Sequence, residues 1–189
     1  MPELSNVYMR EMQNKMYSPS AFFLAKWLVT TIMYMFQPMI YSLFIFQYIQ
    51  FADNSNENFW RWVKIATLQG ACGSTLGFMF SCIFMDNMNA LIFMNMYLGV
   101  LYFSSGSFAN KPQGENWLLD FLNPTSPFTY VCEEMMRTLL SGLDYADTFC
   151  EYFNMNRGSD DCIKNIIKIT LTYFLLAWLV TLIKSKILF

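Results

Sequence analysis

Residues 21 to 49 read A-F-F-L-A-K-W-L-V-T-T-I-M-Y-M-F-Q-P-M-I-Y-S-L-F-I-F-Q-Y-I, and Lys26 is the one charged residue among them. As a helix rising ~1.5 Å per residue, such a run exceeds the ~20 residues that cross the hydrocarbon core of a bilayer. Three further apolar stretches follow at residues 62 to 85, 88 to 104 and 166 to 183. Hydrophobic residues make up 55% of the chain and aromatics 19%, whereas the charged 14% sit mostly between the stretches. Lipid-embedded helices have this distribution, because no water is present to hydrate a charge or an unpaired backbone group. The expected fold class is all-α: a polytopic membrane bundle of four transmembrane helices, with a re-entrant or interfacial helical hairpin in the loop before the last.

Composition removes several functions. The 189 residues have room for one helical bundle and one substantial loop, not for a soluble catalytic domain as well. The net charge is -2 and no basic run is interleaved with aromatics, so the electrostatic footprint of a nucleic-acid binder is missing. No histidine is present, which removes the commonest general base and transition-metal ligand. No G-x-x-x-x-G-K-[ST] loop occurs, so the backbone cradle and lysine that hold nucleotide phosphates are lacking. The chain is expected not to be an enzyme, with ATP reaching it only through a partner subunit and bound lipids as its natural company.

The chain divides into four parts. Residues 1 to 20 hold Met9, Met12, Met16 and Tyr17 at helical spacing, which suggests an amphipathic interfacial helix, with a frayed, solvated terminus as the alternative. Its polar start, with Arg10, Glu11 and Lys15, is neither a cleavable signal nor a transit peptide. Residues 21 to 104 form three spans. Pro38 marks a bend in the first, from packing or gating; Trp60 and Trp62 anchor the start of the second at the interface. In the second span Ala66, Gly70 and Ser74 recur every four residues, as do Gly73, Gly77 and Ser81, giving two small-residue stripes for close helix approach. Asp86-Asn87 allows only a tight turn, so the second and third spans are antiparallel neighbours. Asn95 in the third faces a cavity or a neighbouring helix.

Residues 105 to 163 form the large, non-cytosolic loop, rich in aromatics that call for burial. Within it 115 to 122 and 128 to 140 read as short helices, parted by Asn123-Pro124-Thr125-Ser126-Pro127. Residues 164 to 189 are the last span and a basic end, where Lys184 and Lys186 snorkel to the interface. The side that holds both termini carries five bases against three acids, and the other seven bases against eleven acids, which places the termini on the cytosolic or matrix side. No N-x-[ST] site has an allowed middle residue.

Three blocks of residues resemble one family, the G-type (White and breast-cancer-resistance type) ATP-binding cassette transporters, in their ABC-2 type membrane domain. Arg10-Glu11, Tyr17 and A-F-F-L-A-K at 21 to 26 are similar to the family's entry into its third membrane helix. Phe103-Ser104-Ser105-Gly106 resembles the F-S-G that closes the fifth. Trp117, Phe121 and then Ser126-Pro127-Phe128-x-Tyr130-x-x-Glu133 resemble the loop segment before the last helix, and this spacing is the most specific of the three. The resemblance implies that the spans are equivalents of helices three to six. No counterpart of the nucleotide-binding domain or of the first two helices is seen. Lys15 stands where the family usually has glycine, and Leu4 where a coupling-region glutamate is expected, with Glu3 one position early.

The resemblance further implies that Phe93, Asn95 and Met96 contribute one wall of a substrate cavity. It makes Phe103, Gly106, Trp117, Pro127, Tyr130 and Glu133 a loop or gating motif. Glu133 is either a lone acid with a gating role or an acid that is exposed or paired with Arg137 one turn on. Cys150 and Cys162 are candidates for a loop disulfide, as in some family members. Cys132 is then left over, and Cys72 and Cys82 are apolar fillers.

Two functions follow as expectations. In the first, the chain is a structural or accessory subunit of a larger hetero-oligomeric membrane complex, in the mitochondrial inner membrane or in the plasma membrane or endomembranes. In the second, it is the membrane part of a split transporter that exports a lipid or hydrophobic substrate with a separate ATP-binding cassette ATPase. The missing segments favour the first and the retained loop motif the second; a fragment of a longer transporter is a third possibility. Gly70, Gly73, Ser74 and Gly77 are the expected helix-packing positions under either.

Overall fold

A computed structural model of the chain describes residues 18–48, 55–84, 86–105, 117–152 and 158–188. The amphipathic stretch around Met9, Met12, Met16 and Tyr17, the link at 49–54, and Gly106 lie outside the described residues, as does the side chain of Trp117. The described secondary structure is all helical: α1 Pro19–Tyr48, α2 Asn56–Ile83, α3 Asn87–Ser104, α4 Trp117–Thr125, α5 Pro127–Leu140, α6 Ala146–Tyr152 and α7 Ser159–Leu188.

Two of the described helices, α1 and α7, are long and apolar enough to cross a membrane. Only 11% of the apolar window of α1 and 17% of that of α7 are buried within the chain. Val29, Met33, Phe36, Tyr41 and Phe44 of α1 all stand more than half exposed, surface that water does not stabilise and that lipid or another helix does.

The central element is α2, which packs on α1, α3, α5 and α7. Its start and stop are written locally. Ser55 accepts a hydrogen bond from the Asn58 N–H as N-cap, and Glu57 sits in the first turn beside the positive end of the helix. At the other end Lys184 of α7 donates to the Cys82 carbonyl and, at 2.8 Å, to that of Ile83. The carbonyls that a helix terminus leaves unpaired thus receive a cation. Lys184, expected to reach the lipid interface, instead caps a neighbour within the chain.

α1 runs antiparallel to α2, from Phe23 beside Phe78 at one end to Phe46 beside Phe59 at the other. The first small-residue stripe explains how close they come. A Cβ at Gly70 would lie 2.8 Å from Pro38 Cγ and 2.8 Å from the Tyr34 carbonyl oxygen. Pro38 has no N–H to offer Tyr34, four residues back, so the unpaired carbonyl and the proline ring fill the notch at Gly70. Ser74 meets Thr31 at 3.4 Å, and Trp27 Nε1 donates to Thr75 Oγ1 at 3.1 Å along the same seam. The bend residue is therefore engaged in packing.

The second stripe behaves differently. A Cβ at Gly77 would face Met94 Sδ of α3 at 3.5 Å, in keeping with the antiparallel pairing expected from the tight turn, whereas one at Gly73 would have nothing within 4 Å among the described residues. Gly73 and Ser81 are exposed. The core that results gathers Phe23, Ile65, Leu76, Leu101, Ile166 and Tyr173 around α2.

Candidate functional site

The most specific sequence motif falls on α4 and α5, and its residues close one unit. The two helices are parted by Ser126 alone, not by the five residues expected. Pro124 lies within the last turn of α4, and Pro127 opens α5 at its first position, where a missing N–H is one of those with no helical partner anyway. Pro127 therefore cannot satisfy the Asn123 carbonyl, and the Thr129 hydroxyl donates to it at 3.1 Å. The Tyr130 hydroxyl donates to the Pro124 carbonyl at 2.8 Å. Two carbonyls at the end of α4 are thus taken by side chains from the first turn of α5.

Ser126, fully buried, sends its hydroxyl to the Leu101 carbonyl at 2.9 Å, which fastens the hairpin to the end of α3. Tyr102 meets Phe128 edge to face at 5.6 Å between ring centres. The Phe103–Ser105 part of the second motif is split in orientation, with Phe103 exposed and Ser104 and Ser105 buried. Ser104 also donates to the Leu101 carbonyl, at 3.0 Å. Leu101 is thereby a shared acceptor for both motifs.

α5 buries Tyr130, Val131, Glu133, Glu134 and Thr138. Glu133 is 2% exposed and Glu134 3% exposed, so the exposed alternative for Glu133 is excluded. Burying two carboxylates is expensive unless each finds partners. The first turn of α7 supplies them. Ser159 Oγ donates to Glu134 Oε1 at 2.6 Å, and Cys162 Sγ approaches Glu133 Oε2 at 3.9 Å. Both acids also face the amino end of α7, whose unpaired N–H groups favour negative charge. Glu134 Oε2 has no hydrogen-bond partner among the described residues.

Cys150 and Cys162 are not bridged in this structure. All five cysteines carry free thiols, with Cys162 wholly buried against Glu133 on α7 and Cys150 on α6, which packs on α5. The sulfur that was to bridge is turned toward a carboxylate.

Beside Glu134 lies a cavity of about 510 Å³, lined from α2 by Arg61, Lys64 and Ile65 and from the start of α7 by Gly158 to Asp161, Ile163 and Lys164. Arg61 pairs with Glu57 at 2.7 Å and Lys164 with Asp161 at 3.8 Å, all four well exposed. At the seam above it, buried Asn58 donates to Ser141 at 2.8 Å, which fixes the end of α5 to the start of α2.

Phe93, Asn95 and Met96 are all exposed on α3; Phe93 stacks on Phe84 at 4.7 Å and shares a face with Met96, whereas Asn95, at about 100° per residue, stands on the other side of the helix from Phe93. The motif spacing names Glu133 and passes over Glu134. The signal is present in the sequence: Tyr130, Glu134 and Thr138 repeat every four residues on the face that α5 buries.

The family model for ABC-2 type transporters matches residues 1–140, a span that ends with the last residue of α5. Comparisons with curated proteins and with solved structures returned no match. Membrane domains of this family generally work with ATPase subunits and do not themselves contain the ATPase. With about three quarters of its length matched, including the α4–α5 hairpin, the chain belongs to the ABC-2 type transporter family and is an integral membrane protein through that domain.

Proposed function

We propose that the chain is part of the membrane domain of a G-type transporter, corresponding to helices three to six, and that it serves the movement of a lipid or other hydrophobic substrate. ATP is hydrolysed by an ATP-binding cassette partner. The observation that carries this reading is the intact hairpin: the Thr129 and Tyr130 hydroxyls seal α5 onto the end of α4, the Ser126 hydroxyl ties the pair to α3, and both acids of α5 are held by α7. In this reading α2 and α3 cross the bilayer beside α1 and α7, and the hairpin enters from the side of the loop. The exposed face of α3 with Phe93 and Met96 is one wall of a route that a partner completes, with Asn95 on another side of the same helix.

A second reading has its own support. Phe93, Asn95 and Met96 stand exposed, and much of α1 is uncovered, as suits an accessory subunit packed into a larger hetero-oligomeric membrane complex. The two are separated by extracting the native protein in mild detergent and identifying every co-migrating polypeptide by mass spectrometry. A stoichiometric ATP-binding cassette ATPase, with ATP hydrolysis in the same peak, is the expected result. A large assembly without such an ATPase overturns the transport reading in favour of the accessory one.

A further inference from the structure

We propose that the cavity between α2, α5 and the start of α7 binds a phosphoethanolamine group, as carried by a membrane phospholipid. The inference rests on the proposed placement of α2 across the bilayer, and not on transport or on an ATPase partner.

Three observations converge. Glu134 contributes to the cavity wall, is 3% exposed, and has one carboxylate oxygen with no hydrogen-bond partner among the described residues. An unmatched buried acceptor of this kind is costly and calls for a donor beyond the described residues. The opposite wall is basic, with Arg61 and Lys64 one turn apart on α2. The ligand must therefore carry a cationic N–H donor at one end and an anion at the other.

Size and position narrow the class further. A cavity of about 510 Å³ exceeds what a lone cation fills, and Ile65 and Ile163 add an apolar wall for a short carbon linker. The cavity's α2 wall, Arg61, Lys64 and Ile65, lies in the first turns of that helix and follows in sequence on Trp60, 55% exposed, in the pattern of an interfacial aromatic anchor. That is the depth of lipid headgroups. A primary ammonium donates to Glu134, whereas the trimethylammonium of phosphatidylcholine has no N–H. Phosphatidylserine would bring a second carboxylate beside Asp160 and Asp161, and phosphatidylglycerol has no cation. The phosphate is taken by Lys64 and Arg61, as compact and forked donors respectively.

The test is native mass spectrometry of the full chain in mild detergent, titrated in turn with phosphatidylethanolamine, phosphatidylcholine and phosphatidylglycerol. One phosphatidylethanolamine is expected to be retained about tenfold more tightly than either other lipid. Glu134→Gln and Lys64→Gln should each abolish that preference, and Glu133→Gln, outside the cavity, should keep it. Lys64 is exposed, so its variant reports on binding even if Glu134→Gln fails to fold. Soluble O-phosphoethanolamine that displaces the lipid at equal concentration assigns the site to the free headgroup compound, and displacement only in large excess assigns it to the lipid. Equal retention of all three lipids, or a preference untouched by Lys64→Gln, overturns the proposal.

Discussion

Ser159, the first residue of α7, donates a 2.6 Å hydrogen bond to Glu134 of α5. The family match stops at Leu140, so an acid inside the matched segment is held by a helix beyond it. Together with Cys162 beside Glu133, this contact makes α7 the clamp that keeps two buried carboxylates on one side of the hairpin.

Ser159→Ala removes a short, charge-assisted donor and leaves a buried carboxylate with no described partner on either oxygen. The loss should be ~1–3 kcal/mol, the usual range when a buried polar group is left unsatisfied. Thermal unfolding of the full chain in detergent should show a lower midpoint, with Ser159→Thr recovering most of it. A midpoint equal to the parent's would mean that the acid finds another donor.

The two glycine stripes should part company on substitution. At Gly70 a side chain meets the Pro38 ring and the Tyr34 carbonyl at 2.8 Å, and backbone cannot yield, so Gly70→Leu should separate α1 from α2. Cysteine cross-linking of Thr31 and Ser74 variants, 3.4 Å apart through their hydroxyls, should then fail. Gly73→Leu meets nothing within 4 Å among the described residues, so the same cross-link should form. Its effect should appear on native gels of the intact complex, as a smaller assembly, because that small-residue face is left for a neighbouring helix.

The long helices were legible in the sequence because apolar runs of this length leave few alternatives, and α4 and α5 because their aromatic content required burial, whereas α6 and the start of α7 at Ser159 fall in what read as loop. The boundary at Ser126 was not. Two prolines three residues apart read as a long break, and only geometry shows Pro124 inside one helix and Pro127 opening the next. Glu133 is reached through a motif, whereas Glu134 is invisible to it. An acid next to an acid reads as a solvated face until the partner helix that covers both is seen. The role of Lys184 is hidden for the same reason: its acceptors, the carbonyls of Cys82 and Ile83, lie about a hundred residues away in sequence.

Thiol chemistry separates Cys150 from Cys162. Cys150 is partly exposed on α6 and Cys162 is fully buried beside Glu133. A membrane-impermeant maleimide applied from the loop side should label Cys150 rapidly and leave Cys162 unmodified until the chain is denatured. Without prior reduction the denatured protein should then show both thiols reactive. A Cys150–Cys162 disulfide in peptide mapping would contradict the structure and return the loop to the pattern that the family resemblance implied.

Tyr130→Phe tests whether the hairpin is a preformed unit. The phenol donates to the Pro124 carbonyl at 2.8 Å, while its ring lies in the core with Val131 and Leu101 and is kept by the substitution. The carbonyl left behind has no backbone donor from the following turn, since Ser126 breaks the helix and its own N–H already serves Leu122 and Asn123. A loss of about 1 kcal/mol is expected for one such bond. If α4 and α5 move as one body, Tyr130→Phe and Ser126→Ala, which cuts the tie to Leu101, should lower the unfolding midpoint by amounts that do not add, because both release the same hairpin. Strict additivity in the double variant would show that the two bonds act on separate elements, and the hairpin would then be held at its ends and not within itself.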